Sequence, residues 1–514
     1  MLASLQSYPS SAFPSNVRAS GLSVDERGWL RAAAAIREGG GTLLALWGSD
    51  DRDRDRRFRV HAAYLLADEL LVVEHALPEG EQSFPDLASL FPCAARLQRA
   101  VADLLGIRAH GGDARGWFRH GGWPEKVFPL RRDAEGEARY PSTSAPYRYL
   151  SVAGDGVHEI AVGPVHAGTI EPGGFRFSVV GEKVLRLEER LAYTHKGVDR
   201  RFEKLGQSAG QRLAARVSGD SCVAFSWAYC AALEAMTGAE APARAVALRA
   251  LALERERLAN HLGDLGALGN DAGFAFGLAQ FSRLKEELLR FNDDAFGARY
   301  PFDLVVPGGV AVDLPAAVGP ALAHELEALE LGVRELRSIY DEHTGLQDRF
   351  RGAGWLDPGL ARTLGAVGLV GRASGIGRDL RVDLPWAPYD RLGARLWVRE
   401  DGDVAARVQL RFDEALESMR LCRALLDALP PGPTRVPVPP AAAGHRGIGA
   451  IEGWRGPVLV ALEAGPEGSL RRGHAHDPSW QNWPVLEFAI LGNIVPDFPL
   501  INKSFNLSYS GPDG

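Results

Sequence analysis

The feature that most constrains the fold is a set of four long stretches in which apolar residues recur every three or four positions. They span residues 221–236, 242–268, 316–340 and 408–429. This spacing places the apolar side chains of each stretch on one face of an α-helix. Pro242 stands where a helix can begin, because proline lacks the N–H that the first helical turn leaves unpaired. We therefore predict a bundle of helices that bury these faces against one another.

A smaller mixed domain is predicted ahead of the bundle, over residues 23–133. The segments GTLLALWGSD and FRVHAAYLLADELLVVEHAL contain apolar runs between polar turns, which is typical of strands in an antiparallel sheet. A helical spacing of apolar residues follows from Ala94, and Gly106 ends that predicted helix. The polar, proline-containing residues 134–151 are predicted to be a linker, and residues 152–514 the second domain.

Strands are also predicted within the second domain. GGFRFSVVGEKVLRLEER predicts a hairpin that turns at Val180, Gly181 and Glu182, and GPVLVALEA predicts a strand near the C-terminus. The predicted fold class is therefore α+β: an N-terminal mixed α/β domain followed by a helical-bundle domain with small peripheral sheets.

Composition excludes several classes of protein. The chain has 514 residues, 46% of them hydrophobic, and a formal net charge of −7. A disordered chain has too few apolar residues to match this, and a nucleic-acid-binding protein needs a basic face. No stretch reaches the roughly 18 uncharged apolar residues that cross a bilayer, and the N-terminus lacks a signal-peptide pattern.

Cysteine spacing argues against a metal cluster held by this chain alone. The four cysteines are Cys93, Cys222, Cys230 and Cys422, and no two of them form a C-x-x-C pair. Such pairs present two thiolates to one metal from a single turn. We expect Cys222 and Cys230 to be small buried thiols on a helix.

Ordered blocks after the predicted linker resemble a known superfamily. They are GPVHAGTIEPGGFRFSVVGEKVLRLEERLAYTHKGVDRRFEKL, ALERERLANHLGDLGAL, VPGGVAVDL, GRASGIGRDLRVD, EGWRGPV and NWPVLEFAILGNIVPDFPLINKSF. In this order they resemble the large subunit of membrane-bound energy-converting nickel–iron hydrogenases, such as that of formate hydrogenlyase. The quinone-site large subunit of respiratory complex I belongs to the same superfamily. The resemblance implies a helical-bundle domain of the large-subunit type.

The N-terminal domain resembles the small complex I subunit that hydrogenases of the formate hydrogenlyase type carry fused ahead of the large subunit. FPDLASLFPCAARLQRAVADLLGI carries this resemblance, although Gln98 and Ala100 replace acidic residues usual in its helix. The resemblance implies an iron–sulfur small subunit and membrane antiporter-like and anchor subunits as partners, with no nucleic acid. It also implies a peripheral position on the cytoplasmic side of the cell membrane.

The metal-ligand positions of the hydrogenases are changed in this chain. Nickel and iron are held there by four thiolates, because soft ligands suit these metals. The first pair of ligand positions falls in RVSGDS, at Ser218 and Ser221, and the second in NLSYSG, at Ser508 and Gly511. A hydroxyl is a poor ligand for soft metals and glycine has no side chain. Nickel-based hydrogen chemistry is therefore not expected, and no metal or other cofactor is predicted for the chain itself.

The quinone site of complex I is also altered. The resemblance aligns Gly219 with a quinone-binding tyrosine, and GPVHAGTIEPGG keeps only the first histidine of that family's loop, as His166. A quinone remains a possible ligand, but its usual hydrogen-bond donors are absent from these positions.

A polar set remains for the former metal cavity. By resemblance and chemistry, the predicted catalytic residues are Glu171, His166, Asp220 and Arg455, and the predicted substrate-binding residues are Ser218, Ser221 and Ser508.

Alternative roles are open for several of these residues. Glu171 aligns near a glutamate that passes protons in hydrogenases, and a carboxylate in an apolar pocket can do so; an ion pair with an arginine is the alternative. His166 either orients its loop or binds a ligand. Asp220 and the serines beside it can cap a helix, which also makes a polar-ligand site.

Three further features have structural interpretations. Arg372 and Asp379 are expected to form a buried ion pair. His474 and His476 alternate on a predicted strand, and without a third ligand we expect them at the surface. The charged run of residues 50–59 is predicted to be a solvated loop that leads into a strand.

Two functions fit this sequence. The first is a peripheral electron-transfer subunit that passes electrons from a partner's iron–sulfur cluster to a quinone or another small acceptor, coupled to ion translocation. The alternative is a non-catalytic scaffold or coupling subunit whose cavity is filled by side chains such as Phe225 and Trp227.

Overall fold

The computed structural model describes residues 8–120, 122–134, 147–167 and 170–514. The strands are β1 Ser10–Ala12, β2 Ala19–Val24, β3 Thr42–Asp51, β4 Arg57–Leu65, β5 Leu70–Ala76, β6 Ser83–Phe84, β7 Arg108–Ala109, β8 Val157–Val162, β9 Gly174–Val180, β10 Lys183–Arg190, β11 Val305–Val306, β12 Gly309–Val310, β13 Arg446–Gly453, β14 Gly456–Ala464 and β15 Leu470–His476. The helices are α1 Glu26–Glu38, α2 Arg52–Asp55, α3 Ala94–Leu105, α4 Val198–Lys204, α5 Gly210–Ala214, α6 Cys222–Thr237, α7 Ala243–Asp271, α8 Ala275–Phe296, α9 Val318–Glu342, α10 Thr344–Phe350, α11 Pro358–Leu364, α12 Gly368–Ala373, α13 Leu380–Asp383, α14 Tyr389–Leu392, α15 Val404–Asp427, α16 Ser479–Ala489, α17 Phe498–Phe505 and α18 Ser510–Asp513. Short 3₁₀ turns lie at Gly219–Ser221, Pro466–Gly468 and Val495–Asp497.

The N-terminal domain is built on one sheet with the strand order β1-β2-β5-β4-β3. Strands β3, β4 and β5 pair antiparallel as predicted, whereas β2 joins β5 in parallel. Helix α3 packs on β3, and it ends where predicted because Gly106 adopts a φ of 73° that closes the last turn. The sheet begins at Ser10, and residues 135–146 of the predicted linker lie outside the described residues.

The predicted helical bundle is present and consists chiefly of α6, α7, α8, α9 and α15. Helix α6 is apolar and buried almost all round, with Cys222 and Cys230 as the buried free thiols that the sequence predicts. Helices α7 and α15 bury charges between them: Asp264 pairs with Arg411 at 2.9 Å and His261 with Glu414 at 3.0 Å. Because such charges are costly to bury alone, their pairing fixes how the two helices face each other.

The predicted ion pair of Arg372 and Asp379 is buried and forms part of this network. Their closest charged atoms are 3.6 Å apart, and Arg372 also contacts Glu414 at 2.8 Å and Glu452 at 3.0 Å. Arg372 therefore joins α12 to both α15 and β13.

The predicted hairpin and C-terminal strand are also present. The sheet β10-β9-β8 turns at Gly181, and β13-β14-β15 is an antiparallel sheet that packs on α6. Gly449 permits this close packing, because a Cβ there would lie 2.7 Å from the carbonyl carbon of Ala228. The turn between β13 and β14 thereby holds Trp454 and Arg455 close to the start of α6. No helix among the described residues is long and apolar enough to cross a bilayer.

Two predictions about polar residues are wrong. Residues 50–59 form the end of β3, the helix α2 and the start of β4 rather than a solvated loop, and Asp50 and Asp51 are buried. Asp51 contacts Arg471 at 2.9 Å, so the run docks onto β15. His474 and His476 do share one face, but they are inside the protein, where His474 stacks on Trp47 at 5.3 Å. Pairing between domains overrode the local polarity of both segments.

Candidate functional site

Two serines from distant parts of the chain meet at the centre of the site. Ser218 precedes the 3₁₀ turn that leads into α6, and Ser508 lies between α17 and α18. Their Oγ atoms are 2.8 Å apart, and the residues are only 2% and 4% exposed. The two segments that resemble the paired cysteine motifs therefore lie side by side, joined by a hydrogen bond.

Asp220 and Arg455 form a bidentate ion pair beside the serines. Both Nη atoms of Arg455 lie 2.6 Å from the carboxylate oxygens of Asp220, and the guanidinium covers the ring of Trp454 at 3.9 Å. The Arg455 side chain is buried, whereas that of Asp220 is 39% exposed. Burial tends to raise the pKa of Asp220, but the attraction of Arg455 outweighs it and the pKa is lowered. Asp220 is consequently an ionised group at the open edge of the cluster.

The hydroxyl groups form a chain with one direction. Ser218 donates its proton to Asp220 Oδ1 at 2.9 Å, so the bond between the serines requires Ser508 to donate to Ser218. Ser508 Oγ in turn accepts from the N–H of Gly511 at 2.9 Å. Ser221 lies at the margin, 3.4 Å from Asp220 and 3.5 Å from Arg455. All the donors of the chain therefore point toward the carboxylate of Asp220.

The start of α6 is capped differently from the prediction. The side chain of Ser221 forms no capping hydrogen bond. Instead the carboxyl group of Glu256, on α7, accepts from the N–H groups of Val223 at 2.7 Å and Ala224 at 3.3 Å. Burial raises the pKa of Glu256 to about 8 in spite of these bonds. Because Glu256 caps α6, the polar side chains of SGDS are free to bind Arg455. The prediction that they cap the helix is therefore wrong.

Asp477 is a member of the site that the sequence did not reveal. A Cβ built on Gly511 would lie 2.5 Å from Cγ and 2.8 Å from Cβ of Asp477. Its Oδ1 accepts from the N–H of Ser479 at 2.8 Å, whereas its Oδ2 is buried and has no hydrogen-bond partner among the described residues. Burial raises the pKa of Asp477, although Arg455 opposes the shift. The one available signal was Gly511 itself, which stands where the resemblance to the hydrogenases implies a metal-binding cysteine.

The loop before β9 lies at the edge of the cluster. His166 Nε2 is 2.7 Å from the carbonyl oxygen of Gly173, so its ring ties the two ends of the loop together. Glu171 is exposed, not buried as proposed for proton transfer, and accepts from the N–H of Ser510 at 3.1 Å. Within the described ranges, Glu171 has no arginine partner and does not lie in an apolar pocket. Glu171 therefore contacts α18, and not Ser218 or Ser508.

Lys196 is a second residue that the sequence did not single out. Its Nζ donates to the carbonyl oxygens of Val217 and Ser510, both at 3.0 Å. Burial lowers the pKa of Lys196, and the nearby carboxylates Glu171, Asp513 and Asp477 oppose this. Lys196 therefore bridges the two segments that carry Ser218 and Ser508.

The residues at the thiolate positions do not fit a nickel–iron centre. The Oγ atoms of Ser218 and Ser508 bond to each other, and Asp477 takes the space beside Gly511. Hydroxyl and carboxylate oxygens are hard donors, unlike the soft thiolates that such a centre requires. Hydrogen chemistry at nickel is therefore not assigned to this chain.

Fold and site together define a large subunit of the complex I and hydrogenase type in which three serines and a glycine occupy the positions of the metal ligands. Residues 22–140 match the family described as respiratory-chain NADH dehydrogenase, 30 Kd subunit, and residues 271–447 match the 49 Kd subunit. The chain belongs to the family in which these two domains are fused.

Known proteins of this family align with most of the chain. It is 30% identical to formate hydrogenlyase subunit 5 of Escherichia coli (strain K12) over 485 residues, which cover 92% of this chain and 85% of that protein. It is 31% identical to hydrogenase-4 component G of the same organism over 481 residues, covering 92% and 84%. It is also 31% identical to NADH-quinone oxidoreductase subunit 4 of Thermus thermophilus over 377 residues, covering 68% and 92%.

A solved structure shares the fold. A chain of the membrane-bound sulfane sulfur reductase, an archaeal respiratory membrane complex, superimposes with a TM-score of 0.66 at 24% identity. The match covers 70% of this chain and 98% of that chain. Relatives named as oxidoreductase or hydrogenase subunits are thus similar in sequence over most of the chain, and one chain of a respiratory complex shares the fold.

Proposed function

We propose that the chain is the peripheral electron-transfer subunit of a membrane-bound, complex-I-like oxidoreductase that has no nickel–iron centre. In this proposal an iron–sulfur cluster of a partner subunit supplies the electrons. A quinone or another small molecule accepts them beside four polar side chains, those of Ser218, Asp220, Arg455 and Ser508. Antiporter-like and anchor subunits couple the reaction to ion translocation, on the cytoplasmic side of the cell membrane.

The observation that carries the proposal is the Asp220–Arg455 pair at the end of the directed hydroxyl chain. Ser218 and Ser508, at two of the four thiolate positions, form a connected polar group with an ionised carboxylate, that of Asp220, at its open edge. Polar groups that converge beside an apolar wall are typical of small-molecule sites.

An acceptor could approach beside Gly219. This residue is exposed, and a Cβ built there would meet no described atom closer than the ring of Phe302, at 3.7 Å. The missing side chain leaves the ring of Phe302 uncovered on the side of residue 219, where an acceptor could pack against it. Arg455 would then orient an acceptor oxygen, since its guanidinium already lies at the same edge.

Protons must arrive with the electrons, because a quinone takes up two of each to become a hydroquinone. Asp220 is held ionised by Arg455 and is a poor proton donor. Asp477 is better suited, since burial favours its protonated form and its Oδ2 has no partner within the described residues. Glu171 and His166, on the outer loop, are proposed to exchange protons with solvent.

The scaffold alternative is favoured by one observation. The hydroxyls of Ser218 and Ser508 are buried, and their hydrogen bonds are made within the protein. A cluster that is already satisfied can hold α6 to the C-terminal segment without any ligand. Trp227 packs on Trp386 and Tyr389, so it belongs to the bundle core.

The two functions are separated by electron transfer in the intact complex. The complex is purified through a tag on this chain, its iron–sulfur clusters are reduced, and their reoxidation by a short-chain quinone is followed by absorbance. We expect Asp220→Asn, Asp477→Asn and Glu171→Gln to slow reoxidation. Asp390→Asn is the matched control for Asp220, because its side chain is 40% exposed and also lies beside an arginine, but on α14.

Equal reoxidation rates in all variants of an assembled complex would reject the acceptor site. Clusters that stay reduced in the unmodified complex would favour the scaffold. Size-exclusion chromatography shows whether each variant still assembles, so loss of the complex is not mistaken for loss of transfer.

A further inference from the structure

An open cleft lies between the N-terminal domain and the end of β10, away from the serine cluster. Its volume is about 600 Å³. The charged and aromatic side chains that line it are Arg115, Arg119, Arg148, Arg190, Tyr147 and Tyr193, which we call the arginine cleft. The acidic lining residue is Glu125, so cations outnumber anions on its walls.

The arginines of the cleft differ in how they are neutralised. Arg115 bonds to Asp113 at 2.6 Å and to Glu188 at 2.5 Å, and Arg119 reaches Glu125 at 3.4 Å. Arg148 is exposed, and neither it nor Arg190 forms an ion pair with any of the residues that the structure describes. Two positive charges in the cleft therefore have no direct ion-pair partner within that part of the chain.

Arg190 is the more unusual of the two because it is only 3% exposed. Its Nη1 donates to the carbonyl oxygen of Gly116 at 2.7 Å, and its guanidinium lies 4.5 Å from the centre of the Tyr147 ring. Its Nε is buried and has no hydrogen-bond partner in the described ranges. Burial, together with the charge of Arg99, lowers the pKa of Arg190 to about 10.

Another buried arginine shows how the protein stabilises such a group when no anion is needed. Arg407 also lacks an ion pair among the described residues, yet its three nitrogens bond to Ser504 Oγ, Gly402 O and Gly354 O at 2.8–2.9 Å. Arg190 has no comparable set of acceptors there. An unpaired buried charge is costly, and an anion in the cleft beside Arg190 would lower that cost.

We propose that the arginine cleft binds a phosphate-bearing anion. Guanidinium groups present paired N–H donors that match phosphate oxygens, and Arg148 and Arg190 line the same cleft without carboxylate partners among the described residues. Tyr193 lines the same cleft. A phosphate can accept from all of these donors at once, whereas a carboxylate has fewer acceptor sites.

Isothermal titration calorimetry of the purified full chain with inorganic pyrophosphate tests the proposal. We expect binding that Arg148→Gln and Arg190→Gln each weaken roughly tenfold, as loss of a charge-assisted hydrogen bond implies. Arg148→Gln keeps the test valid if the buried variant misfolds, because Arg148 is exposed. Arg391→Gln is the control, since Arg391 is 88% exposed on α14, outside the cleft lining.

Flotation with phosphatidylcholine vesicles, with and without phosphatidylglycerol, identifies the source of the phosphate. Pyrophosphate binding without flotation indicates a soluble ligand. Flotation that needs phosphatidylglycerol and is lost in both variants indicates a lipid headgroup. Absence of both, or binding that neither variant weakens, would overturn the proposal, as would binding only to an acidic segment of a partner subunit.

Discussion

The carboxylate of Asp477 lies in the space where a side chain at residue 511 would begin. A Cβ at Gly511 would stand 2.5 Å from Cγ of Asp477, closer than non-bonded carbon atoms approach. A side chain at residue 511 therefore requires Asp477 to move or to be replaced.

The first prediction concerns this pair. Gly511→Ala is expected to destabilise the protein by about 1–3 kcal/mol, because overpacking a buried site forces its neighbours to move. Combining it with Asp477→Gly, which also removes the Cβ that would lie 2.8 Å away, should restore part of the loss. Urea unfolding measures both effects. Gly319→Ala, in α9 with no described atom within 4 Å of the added Cβ, is the control, and equal stability of Gly511→Ala and wild type would contradict the steric account.

The second prediction concerns the ion pair of the site. Asp220→Asn should lower the free energy of unfolding by about 2 kcal/mol, because it weakens charged hydrogen bonds and leaves Arg455 buried without a counter-ion. Asp303→Asn removes a similar bidentate pair with Arg216, but both of those side chains are about half exposed. A loss in Asp303→Asn as large as that in Asp220→Asn would show that burial of Arg455 is not the cause.

The third prediction concerns pH and Glu256. Its pKa is about 8 in the folded protein against an ordinary value of 4.5. Between these two pH values the carboxyl group is ionised in the unfolded chain but still protonated in the folded protein. Stability due to this group is therefore lost as the pH rises from about 5 to about 8, at roughly 1 kcal/mol per pH unit. Glu256→Gln should gain on wild type by that amount over this range in denaturant titrations. A difference between the two that does not change with pH would be inconsistent with this prediction.

The fourth prediction concerns Arg372. Arg372→Met should cost about 3–5 kcal/mol, because Glu414 and Glu452 would remain buried without their cation. Arg283→Met is the matched control, since it removes an exposed pair with Glu287 on α8 and should leave the unfolding midpoint unchanged. If Arg372→Met unfolds at the same denaturant concentration as wild type, the network does not stabilise the bundle.

Sequence reasoning predicted the helices well because their apolar spacing is long and regular. The stretch predicted over residues 242–268 became α7, Ala243–Asp271, and that over 408–429 became α15, Val404–Asp427. It also named Ser218, Ser508, Asp220 and Arg455, which the fold brings together. The motifs located these residues, although 290 positions separate the two serines.

Sequence reasoning failed where a distant partner decides the environment of a polar residue. His474 was expected at the surface because it is polar and no metal ligand accompanies it, but Trp47 of the N-terminal domain stacks on it. Capping of α6 was predicted from neighbouring residues, yet Glu256 of the next helix supplies it. Asp477 was missed because the only signal of its role was Gly511, which leaves open the space that Asp477 occupies. Each of these contacts joins residues far apart in the chain, where spacing along the sequence carries no information.

The bond between Ser218 and Ser508 also sets the order of events during synthesis. Asp220 leaves the ribosomal exit tunnel 235 residues ahead of Arg455, and Ser508 follows later still. Until then the start of α6 has neither the guanidinium that neutralises Asp220 nor the hydroxyl that holds Ser218. The site can therefore form only after residue 508 has been translated, and any nascent chain that stops before it lacks the hydroxyl that holds Ser218.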